Sequence, residues 1–373
     1  MKVAVVGAGS WGTTVASMLA ATCETVLWSR RAELAEHIND GANPDYLPGF
    51  ELPPELVGTT SIKRAIDGAD ALVMGVPSHG YRTVLEQAAP LLARETPILS
   101  LTKGIEQPTL MRMTEVTFDV LPDHDRSHIG VLTGPNLARE IMAGQPAATV
   151  IAMEDEETSA AMQSLFMGPR FRVYTNTDVI GSESAGALKN VMALAAGMAE
   201  GLGFGLNTVS MLMTRALVEM SRLGVAMGGR STTFAGLAGM GDLIATCMST
   251  ESRNHRVGLG LGLGKTIDEI VAEMNMVAEG VKSTSGILAL AARYNVEMPI
   301  AEQVGHVLYE GASVPQAIAT LMGRSAKPEY GDKRTKNKDS EASASLCSLL
   351  FALCSLLTPA ARTHCGRSPL RRV

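Results

Sequence analysis

The sequence predicts an α/β fold in which a doubly wound parallel sheet is followed by an all-α domain. In the first half, short apolar runs rich in Val and Ile alternate with helical stretches, the pattern of parallel strands joined by helices. After residue 179 the β-branched runs thin out, and Ala, Leu, Met and Gly dominate. We therefore predict a sheet domain over 1–180, a helical domain over 181–325 and an atypical tail over 326–373.

The predicted strands are apolar runs without polar alternation, as expected for strands buried on both faces. They cover 3–6, 25–28, 71–74, 98–101, 129–132, 149–152 and 171–174. The predicted helices of the second domain have apolar residues three and four positions apart, and they cover 185–200, 208–223, 267–274, 283–294 and 300–309. Glycine-rich segments at 201–205, 236–241 and 258–264 are predicted to separate them.

Composition excludes several classes of protein. With 373 residues, 46% of them hydrophobic and 19% charged, the chain can bury a large core and is not globally disordered. Of its 32 Lys/Arg and 38 Asp/Glu, nine Lys/Arg and four Asp/Glu fall in 327–373, so the preceding body is acidic. An acidic body disfavours nonspecific nucleic-acid binding, which needs a basic face.

Cysteine usage and hydropathy predict a cytoplasmic protein without a metal site or a membrane span. The five cysteines form no C-x-x-C pair, so neither a disulfide framework nor a zinc site is indicated. The apolar run at 346–357 falls short of the roughly 20 residues that span a bilayer. This run belongs to a Ser/Ala/Leu/Cys-rich tail flanked by Lys and Arg, which we expect to be mainly disordered and dispensable.

The strongest short motif is Gly-Ala-Gly-Ser-Trp-Gly, with glycines at Gly7, Gly9 and Gly12. It follows the first predicted strand and opens a helical stretch, which is the context of a Rossmann-type dinucleotide fingerprint. The glycines allow a tight turn, close approach of pyrophosphate and close helix–strand packing, with the phosphates at the helix N-terminus. The alternative is a glycine turn that binds nothing.

The end of the second strand predicts which nicotinamide cofactor is preferred. An acidic residue there holds the ribose 2′-hydroxyl of NAD, whereas Arg accommodates the 2′-phosphate of NADP. The sequence has Arg30 and Arg31 at this point, and the nearest acid, Glu33, comes later. We therefore expect NADP(H) to be favoured, with NAD(H) usable; the alternative is that either arginine is an ordinary surface charge.

Two lysines lie in apolar surroundings and are candidate active-site cations. Lys103 falls at the C-terminal edge of a predicted strand, the edge at which open α/β sheets bind ligands. Lys189 lies on a predicted buried helix, where loss of hydration lowers the pKa of an ammonium and makes it a usable proton donor. The alternative for each is a lysine whose ammonium reaches the surface.

The glycine-broken connections of the helical domain carry further polar groups. Asp242 follows Gly241, and Ser252, Arg253 and Asn254 supply a hydroxyl, a guanidinium and an amide that suit a phosphate. Ser-Arg-Asn also suits any exposed turn. The run at 258–266 lacks the glycine that a phosphate-binding P-loop needs six positions before its lysine, and we interpret it as a loop. The two histidines of 124–128 are interpreted as part of a solvated connection.

Taken together, the motifs resemble those of bacterial NAD(P)-dependent glycerol-3-phosphate dehydrogenases. The matching segments are GAGSWGT at Gly7, SLTKGIE at Ser100, TGPNLARE at Thr133, GALKNV at Gly186, GLAGMGDL at Gly236, SRNH at Ser252 and AEGV at Ala278. They occur in the order of the family and span residues 1 to about 322. The resemblance implies reversible reduction of dihydroxyacetone phosphate to sn-glycerol 3-phosphate, which feeds glycerophospholipid synthesis.

The resemblance also implies roles for individual residues, with Lys189 as the acid/base. The implied cofactor contacts, beyond the three glycines, are Ser10, Trp11, Arg30, Arg31, Lys103, Ala138, Arg253, Val277 and Glu279. The implied substrate contacts are Lys103, Gly134, Asn136, Lys189, Asp242, Ser252, Arg253 and Asn254, of which Lys103 and Asp242 assist catalysis. Asn136 departs from the Ser or Thr that many relatives carry at that position.

Two other functions stay open from the residues alone. A related two-domain hydroxyacid dehydrogenase would share both domains but would bind a carboxylate in place of a phosphate. A non-catalytic NADPH-binding sensor would share the first domain, although it would need no proton donor such as Lys189. The Met-rich and Gly-rich helical domain is compatible with a homodimer and equally with a monomer.

Overall fold

An eight-stranded sheet forms the first part of the computed structural model, which describes residues 1–107, 109–273, 278–326 and 328–329. The strands are β1 Lys2–Val6, β2 Glu24–Trp28, β3 Val57–Thr59, β4 Ala71–Met74, β5 Ile98–Ser100, β6 Ile129–Thr133, β7 Ala147–Ala152 and β8 Phe171–Asn176. Their spatial order is β3-β2-β1-β4-β5-β6-β7-β8. All seven predicted strands are present. The prediction missed β3, whose three residues are too few for a recognisable apolar run.

One strand contradicts the prediction of a parallel sheet, because β7 pairs antiparallel with β6. The other neighbouring pairs are parallel, including β7 with β8. The helix between β6 and β7, α6, covers only Ala138–Met142 and rises about 7.5 Å. It is too short to return the chain along a strand of six residues, which is about 20 Å long, so the chain turns back instead.

Helices cover both faces of the sheet. Besides α6, they are α1 Ser10–Ala20, α2 Ala32–Asn39, α3 Ile62–Ile66, α4 Ser78–Ala88, α5 Met113–Val120 and α7 Glu156–Phe166. Alternate residues of β1 enter different cores: Val3 and Val5 pack with α1 and α7 residues, whereas Ala4 and Val6 pack with α4 and α5 residues. This division explains why β1 is apolar from Val3 to Val6.

The second part is helical, as the sequence predicts. Its helices are α8 Val179–Gly201, α9 Leu206–Ala226, α10 Ser231–Phe234, α11 Asp242–Met248, α12 Arg253–Gly262, α13 Ile267–Glu273, α14 Glu279–Arg293, α15 Pro299–Tyr309 and α16 Val314–Met322. Helix α8 is central and is buried along most of its length. No helix of the described residues is long and apolar enough to cross a membrane.

The predicted loop at 258–264 is wrong over most of its length, because 258–262 belong to α12. A Cβ at Gly258 would lie 2.0 Å from the carbonyl oxygen of Leu194, and one at Gly197 would lie 2.1 Å from that of His255. Glycines on α8 and α12 therefore allow the two backbones to come into contact, and these glycines do not break either helix.

Met1–Arg324 form one compact unit. The predicted tail, 326–373, lies outside the described residues except for 326, 328 and 329.

Candidate functional site

The glycine turn between β1 and α1 has the shape that a dinucleotide phosphate needs. Gly7 has φ of +119°, and a Cβ there would lie 2.6 Å from the Gly75 carbonyl carbon. A Cβ at Gly12 would lie 1.9 Å from the Gly7 carbonyl oxygen, whereas nothing lies within 4 Å of one at Gly9. Two glycines therefore close the turn, and Gly9, at the α1 N-terminus, leaves space in front of it for a phosphate.

Two side chains next to this turn differ in their bonding. The Ser10 hydroxyl donates to the carbonyl of Tyr46 at 2.9 Å. The indole Nε1 of Trp11 is buried and has no partner among the described residues. An orphaned buried donor beside an open phosphate-binding turn fits a site built for a polar ligand.

The two arginines after β2 have different surroundings. Arg31 forms an ion pair with Asp45, which raises the pKa of the arginine, and its guanidinium lies 5.8 Å from the centre of the Tyr46 ring. Arg30 is exposed, and within the described part of the chain no carboxylate lies within 4.0 Å of it. Of the two arginines, Arg30 is the one whose guanidinium has no ion-pair partner among the described residues, so it can meet an added anion.

Two lysines share one buried carboxylate where the sheet meets the helical domain. The Nζ of Lys189 donates to Asp242 Oδ1 at 2.5 Å, and the Nζ of Lys103 donates to Asp242 Oδ2 at 2.6 Å. Asp242 is 2% exposed and Lys189 is 6% exposed. Lys103 also donates to the Gly134 carbonyl at 3.1 Å, so four predicted site residues meet here.

This environment tunes Lys189 for proton transfer. Burial lowers the pKa of Lys189 to about 8, opposed by the attraction of Asp242 and assisted by the positive charge of Lys103. An ammonium whose pKa lies near neutrality can release its proton in catalysis. Burial also raises the pKa of the neighbouring Cys247 thiol to about 12, so this cysteine stays neutral.

Three further residues support the lysines, and none of them was predicted from the sequence to have a role. Thr246 Oγ1 accepts a hydrogen bond from Lys189 at 2.5 Å, and the Asn190 amide donates to the Lys103 carbonyl at 3.2 Å. A Cβ at Gly186 would lie 3.4 Å from Lys103 Cγ. The one available signal was position: Gly186 and Asn190 flank Lys189 in the GALKNV segment, and Thr246 lies one helical turn after Asp242.

Asn136, a predicted substrate contact, forms hydrogen bonds with other residues of the protein. Its Oδ1 accepts from Thr149 Oγ1 at 2.8 Å, and its Nδ2 donates to the Ala148 carbonyl at 3.4 Å. Gly134 has φ of +145°, a backbone conformation that favours glycine. Asn136 is therefore bonded to β7, beside the segment that presents the Gly134 carbonyl.

The predicted phosphate-binding residues begin a helix; they do not lie on a loop. Ser252 caps α12 by accepting from the His255 amide at 3.3 Å. Asn254 Oδ1 accepts from the Gly280 amide at 2.9 Å, which ties α12 to α14. The exposed Arg253 guanidinium lies on the same first turn, where unpaired amides favour an anion.

Glu279 lies within electrostatic range of Arg253 and of the two lysines. Burial raises the pKa of Glu279, while the charges of Arg253, Lys189 and Lys103 and the Ser78 amide oppose the rise. Of the remaining predicted cofactor contacts, Ala138 starts α6, and Val277 lies outside the described residues.

Comparison with known families matches both halves of the chain. Residues 2–159 match the NAD-dependent glycerol-3-phosphate dehydrogenase N-terminus, and residues 178–319 match the C-terminus of the same family. The chain belongs to the NAD-dependent glycerol-3-phosphate dehydrogenase family. The resemblance predicted from the motifs is thereby confirmed.

Curated relatives support this membership over most of their length. A glycerol-3-phosphate dehydrogenase [NAD(P)+] of Sphingopyxis alaskensis is 56% identical over 305 residues, 82% of this chain and 91% of the relative. One of Thermobifida fusca is 52% identical over 336 residues, 88% of this chain and 99% of the relative. The crystal structure of a glycerol-3-phosphate dehydrogenase from Coxiella burnetii has a TM-score of 0.83 and 36% identity, covering 87% of this chain and 99% of that one.

Proposed function

We propose that this protein catalyses the reversible NAD(P)H-dependent reduction of dihydroxyacetone phosphate to sn-glycerol 3-phosphate, and so supplies glycerophospholipid synthesis. The observation that carries the proposal is the buried Asp242 carboxylate shared by Lys189 and Lys103, in a chain that matches both halves of the glycerol-3-phosphate dehydrogenase family. The curated relatives named above bear that activity in their names.

The nicotinamide cofactor would be held by the Gly7–Gly9–Gly12 turn, with its phosphates at the N-terminus of α1. When bound, it supplies the hydride that reduces the carbonyl carbon of the substrate. Trp11, whose indole Nε1 has no partner within the described residues, offers a donor beside this turn.

Lys189 is our proposed proton donor to the carbonyl oxygen of the substrate. An ammonium has three N–H groups, and Asp242 and Thr246 accept two of them. The third is available to the oxygen that gains negative charge during reduction. A pKa of about 8 keeps the group protonated near neutral pH and able to release a proton.

Lys103 and Asp242 control the charge around this proton. Asp242 fixes both ammonium groups, and Lys103 places a second positive charge beside the developing alkoxide, where a preorganised charge stabilises the transition state. The Gly134 carbonyl, which accepts from Lys103, limits the directions in which that ammonium can point.

The first turn of α12 would bind the substrate phosphate. Arg253 supplies the charge, and the Asn254 Nδ2 group can donate because only its Oδ1 is bonded to Gly280. The helix N-terminus adds a favourable partial charge. Binding energy from the phosphate then positions the reacting carbonyl at Lys189.

NADPH is our proposed preferred cofactor, with NADH as a weaker one. Arg30 is exposed and forms no ion pair within the described residues, which supports this preference because a guanidinium suits the 2′-phosphate. Arg31 supports it less directly, since its guanidinium is paired with Asp45.

The hydroxyacid alternative has support from the fold alone. A ketopantoate reductase from Ralstonia eutropha has a TM-score of 0.57 at 18% identity, a likeness that shows a shared fold and nothing about the substrate.

The test of the proposed function is NADPH oxidation by the full chain with dihydroxyacetone phosphate, with the product identified by NMR and its configuration determined by chiral chromatography. We expect stoichiometric sn-glycerol 3-phosphate. NADPH oxidation with ketopantoate but without dihydroxyacetone phosphate turnover would contradict the proposal.

A further inference from the structure

A buried carboxylate outside the reaction centre links the sheet domain to α8. Glu183 is 4% exposed, and no step proposed above uses it. Its Oε2 accepts from Arg112 Nη1 at 2.8 Å and from Thr114 Oγ1 at 2.6 Å. Its Oε1 accepts from the Thr114 amide at 3.0 Å. The carboxylate on α8 therefore caps the N-terminus of α5.

The partner of Glu183 is connected to the segment that carries Lys103. Arg112 forms an isolated antiparallel β-bridge with Ile105, two residues after Lys103. The Glu106 amide also donates to the Met111 carbonyl at 2.9 Å. Through this pairing, a displacement of the Arg112 side chain would shift the backbone that presents Lys103.

One face of α8 contacts this segment at three positions. Glu183 bonds Arg112, Gly186 leaves space for the Lys103 stem, and Asn190 donates to the Lys103 carbonyl. Spacings of three and four residues put these positions on one face of a helix. Lys189 lies on the same helix, next to Asn190, so the helix that binds the Lys103 segment also carries the proton donor.

We propose that Glu183 is a positioning residue that, through Arg112, sets the spacing between Lys103 and Lys189 across their shared Asp242. This inference rests on the proposed function and adds a residue to its machinery. Glu183 contacts neither substrate nor cofactor in this account, and its effect on turnover passes through the two lysines.

Glu183→Gln is the main variant, and Glu219→Gln is its matched control. Glu219 is also a buried carboxylate on a helix of the same domain; it accepts from the Ile300 and Ala301 amides at the start of α15. Both substitutions replace a buried carboxyl group with an amide and keep the side-chain shape. Only the first breaks a link to the Lys103 segment.

The readouts are kcat for dihydroxyacetone phosphate, its pH profile and the melting temperature. We expect kcat of Glu183→Gln to fall about 10- to 100-fold, because misplacement by about 1 Å costs that much. Glu219→Gln should keep the wild-type kcat. The melting temperature of each variant measures how much the loss of a buried carboxyl group destabilises the fold, apart from any effect on the lysines.

The pH profile separates positioning from a direct charge effect. Lys189 faces Asp242, Thr246 and Cys247 from α11, Lys103 from the sheet domain, and Glu279 from α14. Displacing Lys103 removes a positive charge that lowers the pKa of Lys189, so the alkaline limb of kcat should move to higher pH. Removing a negative charge acting directly on Lys189 would move it to lower pH.

Glu183→Asp keeps the charge that Arg112 needs and shortens the side chain, so it serves if Glu183→Gln does not fold. We expect it to lose kcat and to show the same shift to higher pH. A folded Glu183→Asp with a wild-type kcat and pH profile would overturn the inference, as would losses shared equally by Glu183→Gln and Glu219→Gln. If the wild-type protein did not reduce dihydroxyacetone phosphate, the proposed function itself would fail instead.

Discussion

Replacing Lys189 with Met tests the proposed proton donor at the centre of the site. Met retains the apolar stem, so the packing of α8 is kept while the ammonium is lost. The change does not leave the buried Asp242 carboxylate without a partner, because Asp242 still accepts from Lys103 at 2.6 Å. Thr246 also keeps a partner, since its hydroxyl donates to the Asp242 carbonyl at 2.6 Å. The variant should therefore fold.

The expected loss follows from the role of the third N–H group. General acid catalysis contributes about 10²–10⁴-fold, so kcat for dihydroxyacetone phosphate should fall by that factor, roughly 3–5 kcal/mol of barrier. The affinity for NADPH, measured by fluorescence titration, should stay nearly unchanged because the phosphates bind at the Gly7–Gly12 turn. Stopped-flow traces at saturating substrate give the chemical step itself.

The pH profile gives a second measure of the same role. The reduction needs protonated Lys189, so wild-type kcat should be constant at lower pH and fall as pH rises through about 8, the pKa of Lys189. Lys189→Met should lack this limb. Lys189→Arg keeps the charge but does not readily release a proton. A near-normal kcat in the Arg variant would refute the assignment and leave Lys189 as an electrostatic stabiliser.

The other predictions concern the phosphate, the cofactor and stability. Arg253→Ala should weaken transition-state binding of dihydroxyacetone phosphate by about 2–4 kcal/mol while barely changing turnover of dihydroxyacetone. Arg256→Ala, which changes an exposed arginine on the same helix, is the control. Equal losses on both substrates would place Arg253 elsewhere. Arg30→Ala should lower the NADPH-to-NADH ratio of kcat/KM by roughly tenfold, for the loss of one charged pair; an unchanged ratio would argue against a 2′-phosphate contact. Burial raises the pKa of Glu219 to about 7, so the folded protein holds a proton that the unfolded chain loses, and stability should fall as pH rises from about 4.5 to about 7. Thermal melts of Glu219→Gln should show a weaker fall over that range than wild type, and parallel curves would contradict the assignment.

The parts of the structure that short sequence segments determine were predictable. The Gly7–Gly12 turn is one example, because a strand, three spaced glycines and a helix occur within 20 residues. Lys189 is another, since a charged residue within an apolar helix needs a partner. Its partner, Asp242, was named as a site residue only through the ensemble of motifs.

Features set by tertiary contacts were not predictable. Apolar runs identify strands but do not indicate the direction in which a strand runs, so the sequence of β7 did not distinguish it from the parallel strands. Glycine was interpreted as a helix breaker at Gly258, where the contact with Leu194 of α8 in fact requires it. The Arg112–Glu183 pair joins residues 71 positions apart, a separation at which sequence spacing gives no guide to contact.

The phosphate dependence of turnover is the most direct test of how the substrate is placed in the site. With the substrate phosphate at Arg253 and the reacting carbonyl at Lys189, wild-type kcat/KM for dihydroxyacetone phosphate should exceed that for unphosphorylated dihydroxyacetone by about 10²-fold or more, for a charged contact of several kcal/mol. Equal kcat/KM values for the two ketones, with NADPH consumed in both, would contradict it.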